Sequence, residues 1–187
     1  MSSVISFKTT RLRVEDWQAT LHAPEQRQRL ADQLASVLTP KVLEPLPPAL
    51  QLSSSEGAIA AWMEARAVES DVLTTRTQSE DLLGLVILAS VPSTDSPRTV
   101  HFGYLFAEAA WGQGYATELI DGLACWFQRA GVPVHLLAGV GKDNSPSARV
   151  LIKNGFALDK ALSSPETWMF SRTLSGPETS PETGQSS

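Results

Sequence analysis

The amino-acid sequence predicts one α/β domain, in which helices flank a mixed central sheet. Three observations support this prediction. Strand-like and helix-like segments alternate along most of the 187 residues, a length that suits one sizeable core and is short for two ordinary domains. Residues 82–91, LLGLVILASV, are apolar on both faces, which is typical of a central strand covered from two sides. Residues 116–130 repeat apolar side chains at i, i+3 and i+4, which predicts a long amphipathic helix that ends at Gly131.

The first half of the chain predicts one strand and two helices with an irregular segment between the helices. A short strand is expected at 10–14, and a helix at 24–38, where Pro24 suits the first turn and the leucines share one face. Residues 39–55 carry four prolines with leucines between them, so we expect an extended apolar segment that packs over a neighbouring surface. The serines at 53–55 offer N-caps to the second helix, which runs to about residue 68.

The second half predicts further strands and two helices around the same sheet. The expected strands are 72–76, 82–91, 100–106, 134–140 and 167–174. A short helix is expected at 146–153, because Ser145 can serve as N-cap, Pro146 suits the first helical position and Gly155 lies beyond the end.

The end of the chain has a different composition. From Ser175 the sequence reads SGPETSPETGQSS, with no large apolar residue to bury, so ordering it would cost conformational entropy without compensation. The domain is therefore expected to span 1–174, and residues 175–187 are expected to form a disordered tail.

Composition and charge exclude several classes of partner. Fifteen Lys and Arg against twenty Asp and Glu give a net charge of −5, so no basic patch for nucleic acid is expected. The single Cys125 excludes an intramolecular disulfide and a multi-cysteine zinc site, and it favours the cytoplasm; we expect no bound metal. No stretch approaches the ~20 apolar residues that cross a bilayer, so a membrane partner is not expected.

The most informative segment is WGQGYAT, residues 111–117, which joins a predicted strand to the long helix. Its two glycines allow close approach of a ligand to the backbone, and a helix N-terminus offers unpaired N–H groups with partial positive charge. The pattern favours a phosphate or pyrophosphate, although a plain strand-to-helix turn would use the same glycines for geometry alone. Thr117 at the third glycine position disfavours a dinucleotide fingerprint, and a P-loop is excluded because its Lys-Ser/Thr pair is missing.

Two longer segments, GYLFAEAAWGQGYATELIDGL and DNSPSARVLIKNGF, resemble the signature motifs of the GNAT superfamily of N-acetyltransferases. TTRLRVEDW near the start of the chain fits the same family. Within the superfamily, the sequences of these two motifs are similar to those of the branch that includes the ribosomal-protein N-terminal acetyltransferases. The resemblance covers roughly residues 10–174. It implies a GNAT-type domain that takes acetyl-CoA as co-substrate and transfers the acetyl group to a primary amine by direct attack.

The resemblance also implies where acetyl-CoA binds. In the family, backbone amides of a Q/R-x-x-G-x-G/A segment hold the pyrophosphate, and Gly114 and Ala116 stand at its last two fixed positions. Trp111 replaces the usual Gln or Arg, which removes a polar side chain and leaves the backbone donors. The preceding strand would pair with the pantetheine arm and offer an N–H to the thioester carbonyl, as an oxyanion hole does. The implied cofactor-binding residues are Leu105, Phe106, Gly112, Gln113, Gly114, Tyr115, Ala116, Thr117 and Asn144.

The second motif implies two further roles. Asn144 stands where the family's Asn often hydrogen-bonds the cofactor arm, and Ser147 where this branch places a hydroxyl near the departing sulfur. Both residue types are also common at plain turns and helix starts. Leu151 occupies the place where many members carry a tyrosine general acid. Because a coenzyme A thiolate is a tolerable leaving group near neutral pH, losing that tyrosine need not abolish catalysis.

A protonated amine has no lone pair and must lose a proton before it can attack a thioester, so the reaction needs a base. His101 lies just before Gly103 and Tyr104 on the predicted strand, and histidine has an ordinary pKa of ~6.5, so we expect His101 to be that base. A strand histidine that points to solvent or is bonded in the core would show the same pattern. Glu108 and Glu118 are weaker candidates, and Glu118 also suits the helix N-terminus by its charge.

The expected catalytic residues are therefore His101 and Ser147, and the expected partner is a primary amine on a protein N-terminus or a small molecule. Residues 39–55 and the helix after them would wall the acceptor pocket. A homodimer is compatible with the sequence. The alternative is a non-catalytic acyl-CoA-binding or sensing module, which the missing tyrosine favours, and a third hypothesis is an unrelated nucleotide-phosphate binder.

Overall fold

The computed structural model describes residues 4–90, 97–131 and 133–175, and within them eight strands form one sheet. The strands are β1 (Ser6–Lys8), β2 (Leu12–Asp16), β3 (Asp71–Thr77), β4 (Leu82–Ser90), β5 (Arg98–Phe106), β6 (Val134–Gly141), β7 (Ala157–Asp159) and β8 (Thr167–Leu174). Their order across the sheet is β1-β2-β3-β4-β5-β6-β8-β7. Neighbours are antiparallel except β5 and β6, which are parallel. The mixed sheet confirms the predicted fold class.

Helices cover both faces of this sheet. They are α1 (Gln18–His22), α2 (Pro24–Val37), α3 (Pro40–Leu43), α4 (Ala58–Glu69), α5 (Tyr115–Arg129) and α6 (Ser145–Lys153). One core packs the apolar sides of α5 and α6 against the sheet, and a second packs α2, α3 and α4 against the opposite face. The result is three layers with the sheet in the middle, as expected for apolar helix faces that must be buried.

The predicted central strand lies between β3 and β5 as β4. Val86 and Leu88 belong to the core that contains α5, whereas Leu85 belongs to the core that contains α2 and α4. All three side chains are at most 2% exposed. The prediction that this strand is covered from two sides is confirmed.

The segment after α2 is less extended than predicted. Instead of an extended stretch over 39–55, the chain forms α3 and a 3-10 turn at Pro48–Leu50. Proline's fixed φ is compatible with the first turn of a helix, and the Thr39 hydroxyl accepts the N–H of Val42 at 3.4 Å. The expected apolar packing is confirmed, since Val42 and Leu43 are buried in the core with α2 and α4.

The start of α4 also differs from the prediction, because the serines at 53–55 do not cap it. The Ser53 and Ser55 hydroxyls are bonded to each other at 2.7 Å, and the helix begins at Ala58 after Gly57. Gly57 has φ +76°, a left-handed conformation that glycine adopts without the steric cost of a Cβ. A backbone conformation, rather than a side-chain cap, starts this helix.

The cap of α6 is Asn144 rather than the predicted Ser145. The side-chain oxygen of Asn144 accepts the N–H of Ser147 at 3.2 Å, so Ser145 becomes the first helical residue and Pro146 the second. An asparagine at this place reaches the N–H three positions on, which a serine inside the helix cannot do. Gly155 lies beyond the end with φ +74°, as predicted.

Further short elements that were not predicted include β1, β7 and α1, of three, three and five residues. Elements this short show no hydrophobic periodicity. The first predicted strand, 10–14, lies two residues later as β2. The predicted strand end at Val91 and the tail after Ser175 lie outside the described residues.

Candidate active site

β5 and β6 separate part-way along their length, and a cavity lies where they part. They pair from Arg98 opposite Val134 to His101 opposite Leu137. Beyond this point, within the described residues, β5 pairs only with β4, and β6 only with β8. The cavity has a volume of about 350 Å³. An open strand edge, with backbone groups able to pair with a ligand, therefore faces it.

Five parts of the chain line this cavity. They are the segment between α3 and α4, with Pro45, Leu46, Pro47 and Leu50, the middle of β4, with Ile87 and Ala89, residues 101–105 of β5, residues 138–141 of β6, and α6 with its cap, through Asn144, Ser147 and Leu151. The helix after the proline-rich segment, which was predicted to wall the acceptor pocket as well, takes no part in this cavity. Trp62 and Met63 of α4 are buried in the core instead, and no residue of that helix lines the cavity.

The structure distinguishes between the two residues that were predicted to face the thioester. The N–H of Ala107 donates to Leu83 O at 2.8 Å, beside β4. Alternate residues of a strand direct their backbone groups to opposite edges, so the N–H of Leu105 points to β4 and that of Phe106 to the open edge. A Cβ on Gly84 of β4 would overlap the carbonyl oxygen of Leu105, which agrees with this assignment. Phe106 is thus the better placed donor.

The start of α5 forms a cradle, residues 112–117, after the end of β5. Gly112 and Gly114 have φ +73° and +80°, and Gly114 is the N-cap of the helix with no side-chain hydrogen bond to the first turn. The Gln113 side chain donates to Ala109 O at 2.6 Å and so braces the turn from within. The first N–H groups of α5 are left without an intrahelical acceptor, as at any helix start, and they lie at an exposed turn.

Arg11, which the sequence analysis did not single out, holds this cradle against β2. Its Nε donates to Glu118 Oε2 at 2.7 Å, and its Nη1 donates to Gln113 O at 3.0 Å. The guanidinium also lies over the Tyr115 ring, 4.3 Å from the centroid. The TTRL segment, noted only as part of the family resemblance, was the signal that could have identified it.

The two glutamates considered as alternative bases, Glu108 and Glu118, both accept hydrogen bonds from neighbouring side chains. Partial burial raises the pKa of Glu118, but hydrogen bonds from Thr9 at 2.5 Å and from the N–H and side chain of Arg11 offset this, so the pKa lies below its usual value. A hydrogen bond from Thr39 at 2.7 Å, followed by contacts of Lys41, lowers the pKa of Glu108. Carboxylates stabilised in the charged form are weaker bases, so the geometry disfavours both.

His101 is exposed and lies on the cavity wall formed by β5. Its neighbours across the sheet are Ala89 on β4 and Leu137 on β6. Leu105, four residues on, belongs to the core with α2 and α4, so His101 lies on the face of β5 that also carries the proline-rich segment. This position allows it to meet an acceptor that enters from that side.

The first turn of α6 brings two polar side chains to the cavity. Asn144 uses its carboxamide oxygen to cap the helix, and its Nδ2 end makes no hydrogen bond within the described residues. The Ser147 hydroxyl accepts a hydrogen bond from the hydroxyl of Tyr104 at 3.1 Å. Burial raises the pKa of Tyr104, and the bond to Ser147 lowers it by less. Leu151, which occupies the place where many family members carry a tyrosine, is fully buried.

The structure therefore gathers only part of the predicted site in one place. His101, Leu105, Asn144 and Ser147 line the cavity, whereas Phe106 and the cradle do not. The two parts are connected by aromatic contact, since Phe106 stacks on Tyr115 with ring centroids 6.4 Å apart. The cavity and the cradle lie at successive positions along one open edge.

A second cleft, of about 410 Å³, lies between β1 and α5 and includes Cys125. It shares no residue with the cavity, and neither His101 nor Ser147 lines it. Within the described ranges, no three His, Cys, Asp or Glu side chains are grouped to hold a metal ion. In that same part of the chain, none of the helices combines the length and apolar character that a bilayer crossing requires.

Comparison with known proteins agrees with this fold. A GNAT-family acetyltransferase from Bacillus anthracis has 15% identity and a TM-score of 0.65, over 91% of this chain and 98% of that chain. RimL, described as a ribosomal alpha-N-protein acetyltransferase in complex with coenzyme A, has 15% identity and a TM-score of 0.67, over 91% and 98%. An acetyltransferase from Agrobacterium tumefaciens has 18% identity and a TM-score of 0.61, over 92% and 96%.

At these identities the solved structures show the fold alone, and no curated protein sequence matches the chain. The family is shown by a separate comparison, in which a model described as an acetyltransferase (GNAT) domain matches residues 11–157. The matched range contains both the cradle and the lining of the cavity by β5 and α6. The chain therefore belongs to the GNAT acetyltransferases, enzymes that use acetyl-CoA.

Proposed function

We propose that this enzyme transfers the acetyl group of acetyl-CoA to a primary amine, whose nitrogen attacks the thioester carbonyl directly. The observation that carries the proposal is the cavity between β5 and β6. There a candidate base, His101, and a candidate hydroxyl donor, Ser147, line one space beside an open strand edge. Direct attack needs no covalent acyl-enzyme, which agrees with the place of Cys125 in the other cleft.

The cradle fits the pyrophosphate of acetyl-CoA. A Cβ on Gly112 would meet no atom within 4 Å, so the space beside this turn is open. The N-terminus of α5 carries no side-chain cap, and its N–H groups and partial positive charge suit an anion. When bound, acetyl-CoA supplies the thioester that is the acyl donor.

Three groups beside the point where β5 and β6 separate have complementary proposed roles. The N–H of Phe106 stabilises the charge that develops on the thioester oxygen, as an oxyanion hole does. The Nδ2 of Asn144 donates to the cofactor arm, because the other end of its side chain already caps α6. The hydroxyl of Ser147 donates to the sulfur as it leaves. Each group is held by a strand or helix, so little reorganisation accompanies the reaction.

The acceptor enters, in this proposal, from the side of the proline-rich segment. Pro45, Leu46 and Pro47 line that side, together with Ile87 and Ala89 of β4. We therefore propose an acceptor with an apolar group next to its primary amine, on either a protein N-terminus or a small molecule. The described alpha-N-protein activity of RimL supports testing the first kind of acceptor.

Thiol release tests the proposal. Acetyl-CoA is incubated with the enzyme and a panel of peptides with free α-amines, their N-acetylated counterparts and small amines. We expect free coenzyme A only with free amines, and faster with apolar groups beside the amine. Binding of acetyl-CoA without thiol release from any acceptor would contradict the proposal and favour a binding module.

His101→Gln tests the proposed base. Positioned bases contribute about 10²–10⁴-fold in rate, so we expect kcat to fall by about a hundredfold with acetyl-CoA affinity nearly unchanged. The pH dependence that belongs to deprotonation of the amine acceptor should persist in the variant. The matched control is His135→Gln, because His135 is bonded to Thr173 at 2.8 Å and does not line the cavity. Wild-type kcat in His101→Gln would contradict the assignment.

A further inference from the structure

One contact in the cavity has no role in the reaction as proposed above. The Tyr104 hydroxyl donates to Ser147 Oγ at 3.1 Å, and the two residues are 43 positions apart in the sequence. Tyr104 belongs to β5 and Ser147 to the first turn of α6. The bond therefore joins the two sides of the cavity beyond the point where β5 and β6 stop pairing.

We propose that Tyr104 is a positioning residue, which directs the hydroxyl hydrogen of Ser147 toward the leaving sulfur. A serine hydroxyl has one hydrogen to donate and two lone pairs, and it rotates to suit its partners. When Tyr104 occupies one lone pair, the hydrogen of Ser147 must point away from the phenol. The inference rests on the proposed function, because it needs a thioester sulfur beside Ser147.

The Tyr104 ring is itself fixed by packing. It contacts Phe106 with centroids 6.3 Å apart and planes at 64°, and it packs against the core that contains α5. Phe106 in turn stacks on Tyr115 at the start of α5. A ring held by aromatic neighbours places its hydroxyl at a fixed point, at a lower entropic cost than a flexible side chain.

Ser147 is also held from its backbone side. Its N–H donates to Asn144 Oδ1 at 3.2 Å, so the main chain and the hydroxyl are each bonded to a residue of the cavity. Because burial raises the pKa of Tyr104, its hydroxyl stays protonated at neutral pH and remains a donor. The hydrogen of Ser147 is the one left to interact with a ligand.

The reaction step balances with both hydroxyls intact. The amine nitrogen forms a bond to the acetyl carbon, and the carbon–sulfur bond breaks with its electron pair on sulfur. Ser147 donates a hydrogen bond to the developing thiolate while Tyr104 continues to donate to Ser147. The proton lost by the amine passes to His101 or water, and solvent protonates the released thiolate.

Tyr104→Phe removes the hydroxyl and keeps the ring. Losing one hydrogen bond that orients the donor should lower kcat by about tenfold, with the KM for acetyl-CoA and the melting temperature nearly unchanged. The control is Thr75→Val on β3, which removes a buried hydroxyl that has no partner among the described residues and lies outside the cavity. It should leave kcat unchanged.

A double-mutant cycle separates positioning from independent action. If Tyr104 acts through Ser147, Ser147→Ala with Tyr104→Phe should be no slower than Ser147→Ala alone. The bond can also be detected without activity. The chain has two tyrosines, so 3-fluorotyrosine labelling gives two ¹⁹F signals. Ser147→Ala should move the signal that Tyr104→Phe removes.

The outcomes distinguish this inference from the function on which it rests. Wild-type kcat in Tyr104→Phe, multiplicative losses in the double variant, or an unmoved ¹⁹F signal would each overturn the positioning role while thiol release by the wild-type enzyme continues. Failure of the wild-type enzyme to release thiol would overturn the proposed function and the inference together. A tenfold loss in kcat that is absent in the Ser147→Ala background supports both.

Discussion

The two helices that follow the separating strands, α5 after β5 and α6 after β6, begin in opposite ways. α5 starts on Gly114, in a left-handed conformation, with no side-chain cap. α6 starts on Asn144, whose side chain accepts the N–H of Ser147. The first N–H groups of any helix need a partner from a side chain, water or a ligand. α5 leaves its donors for a ligand, whereas α6 satisfies one of its own and so fixes two side chains in the cavity.

A third helix shows that a left-handed glycine alone does not make a phosphate site. α4 also starts on such a residue, Gly57, with φ +76° and no side-chain cap. The start of α5 differs in three ways. It has a second left-handed glycine, Gly112, it belongs to the helix that follows the open edge of β5, and the Arg11 contacts hold its turn. The surroundings of the helix start, rather than its conformation, distinguish the candidate pyrophosphate site.

Gly114→Val, at the start of α5, should have the largest effect on acetyl-CoA binding. A branched side chain would occupy the space beside the turn, so we expect acetyl-CoA binding to be lost. In the wild-type protein, acetyl-CoA at a hundred times its Kd should stabilise the fold by about 2.7 kcal/mol through mass action. The measurement is the thermal shift on adding acetyl-CoA, which should vanish in the variant.

Gly57→Val is the matched control for that experiment. Both glycines are N-caps with left-handed φ, so each valine should cost a similar conformational strain, at least about 1–2 kcal/mol. Only Gly114→Val should also lose the acetyl-CoA shift. Equal shifts in the two folded variants would mean that α5 and α4 do not differ as helix starts.

The sequence predicted α5 closely and α6 less well, and the reason is physical. The apolar repeat of α5 extends over four turns, so its position was clear, whereas at α6 both Asn144 and Ser145 are good caps and only geometry selects one. Nothing local indicated that Gly57 rather than the serines before it would start α4. Local propensity identifies the elements, but the choice between adjacent caps depends on the whole turn.

Asn144→Ala tests the start of α6, which has a side-chain cap. Loss of an N-cap costs about 1 kcal/mol, which should lower the melting temperature by roughly 2–4 °C in a protein of this size. Asn144→Asp keeps an acceptor oxygen and should retain the stability. Both variants lack the Nδ2 donor, so both should bind acetyl-CoA more weakly. Full affinity in Asn144→Asp would contradict the proposed contact with the cofactor arm.

The sequence did not predict the contacts that segments far apart in the chain make within the candidate site. The motifs indicated the cradle and the start of α6, but they did not indicate that Arg11 contacts Glu118 or that Tyr104 contacts Ser147. These pairs are 107 and 43 residues apart in the sequence, and no spacing rule connects them. They became visible only when the sheet brought β2 and β5 beside the two helices.

Arg11→Ala should affect the cradle more than the fold. The side chains of Arg11 and Glu118 are 43% and 18% exposed, and ion pairs of this kind contribute at most about 1 kcal/mol to stability. Acetyl-CoA affinity should fall several-fold, because Gln113 and Tyr115 lose the contacts that hold the turn. Arg27→Ala, which breaks an exposed ion pair with Glu64, is the control and should leave that affinity unchanged. Equal affinities in the two variants would contradict the role of Arg11.

The smallest expected effect concerns Glu118, the acidic residue in the first turn of α5. A carboxylate there could turn to its own helix start and compete with an anion, but Thr9 and Arg11 hold it against β2. Partial burial raises its pKa and these bonds lower it by more, so the folded pKa lies below its unfolded value, ~4.3. Its stabilisation is therefore complete above pH ~4.3 and is lost as pH falls through the folded pKa.

Glu118→Gln should accordingly flatten the acid limb of the stability curve. Urea unfolding between pH ~5 and ~3 measures it, because only the wild-type protein loses this contribution as the carboxylate is protonated. Thr9→Val removes one of the donors and should give an intermediate slope. Parallel curves for wild type and Glu118→Gln would show that the bonds do not favour the charged form. The first turn of α5 would then be open for another reason, the left-handed Gly114, which places no side-chain acceptor near the N–H groups.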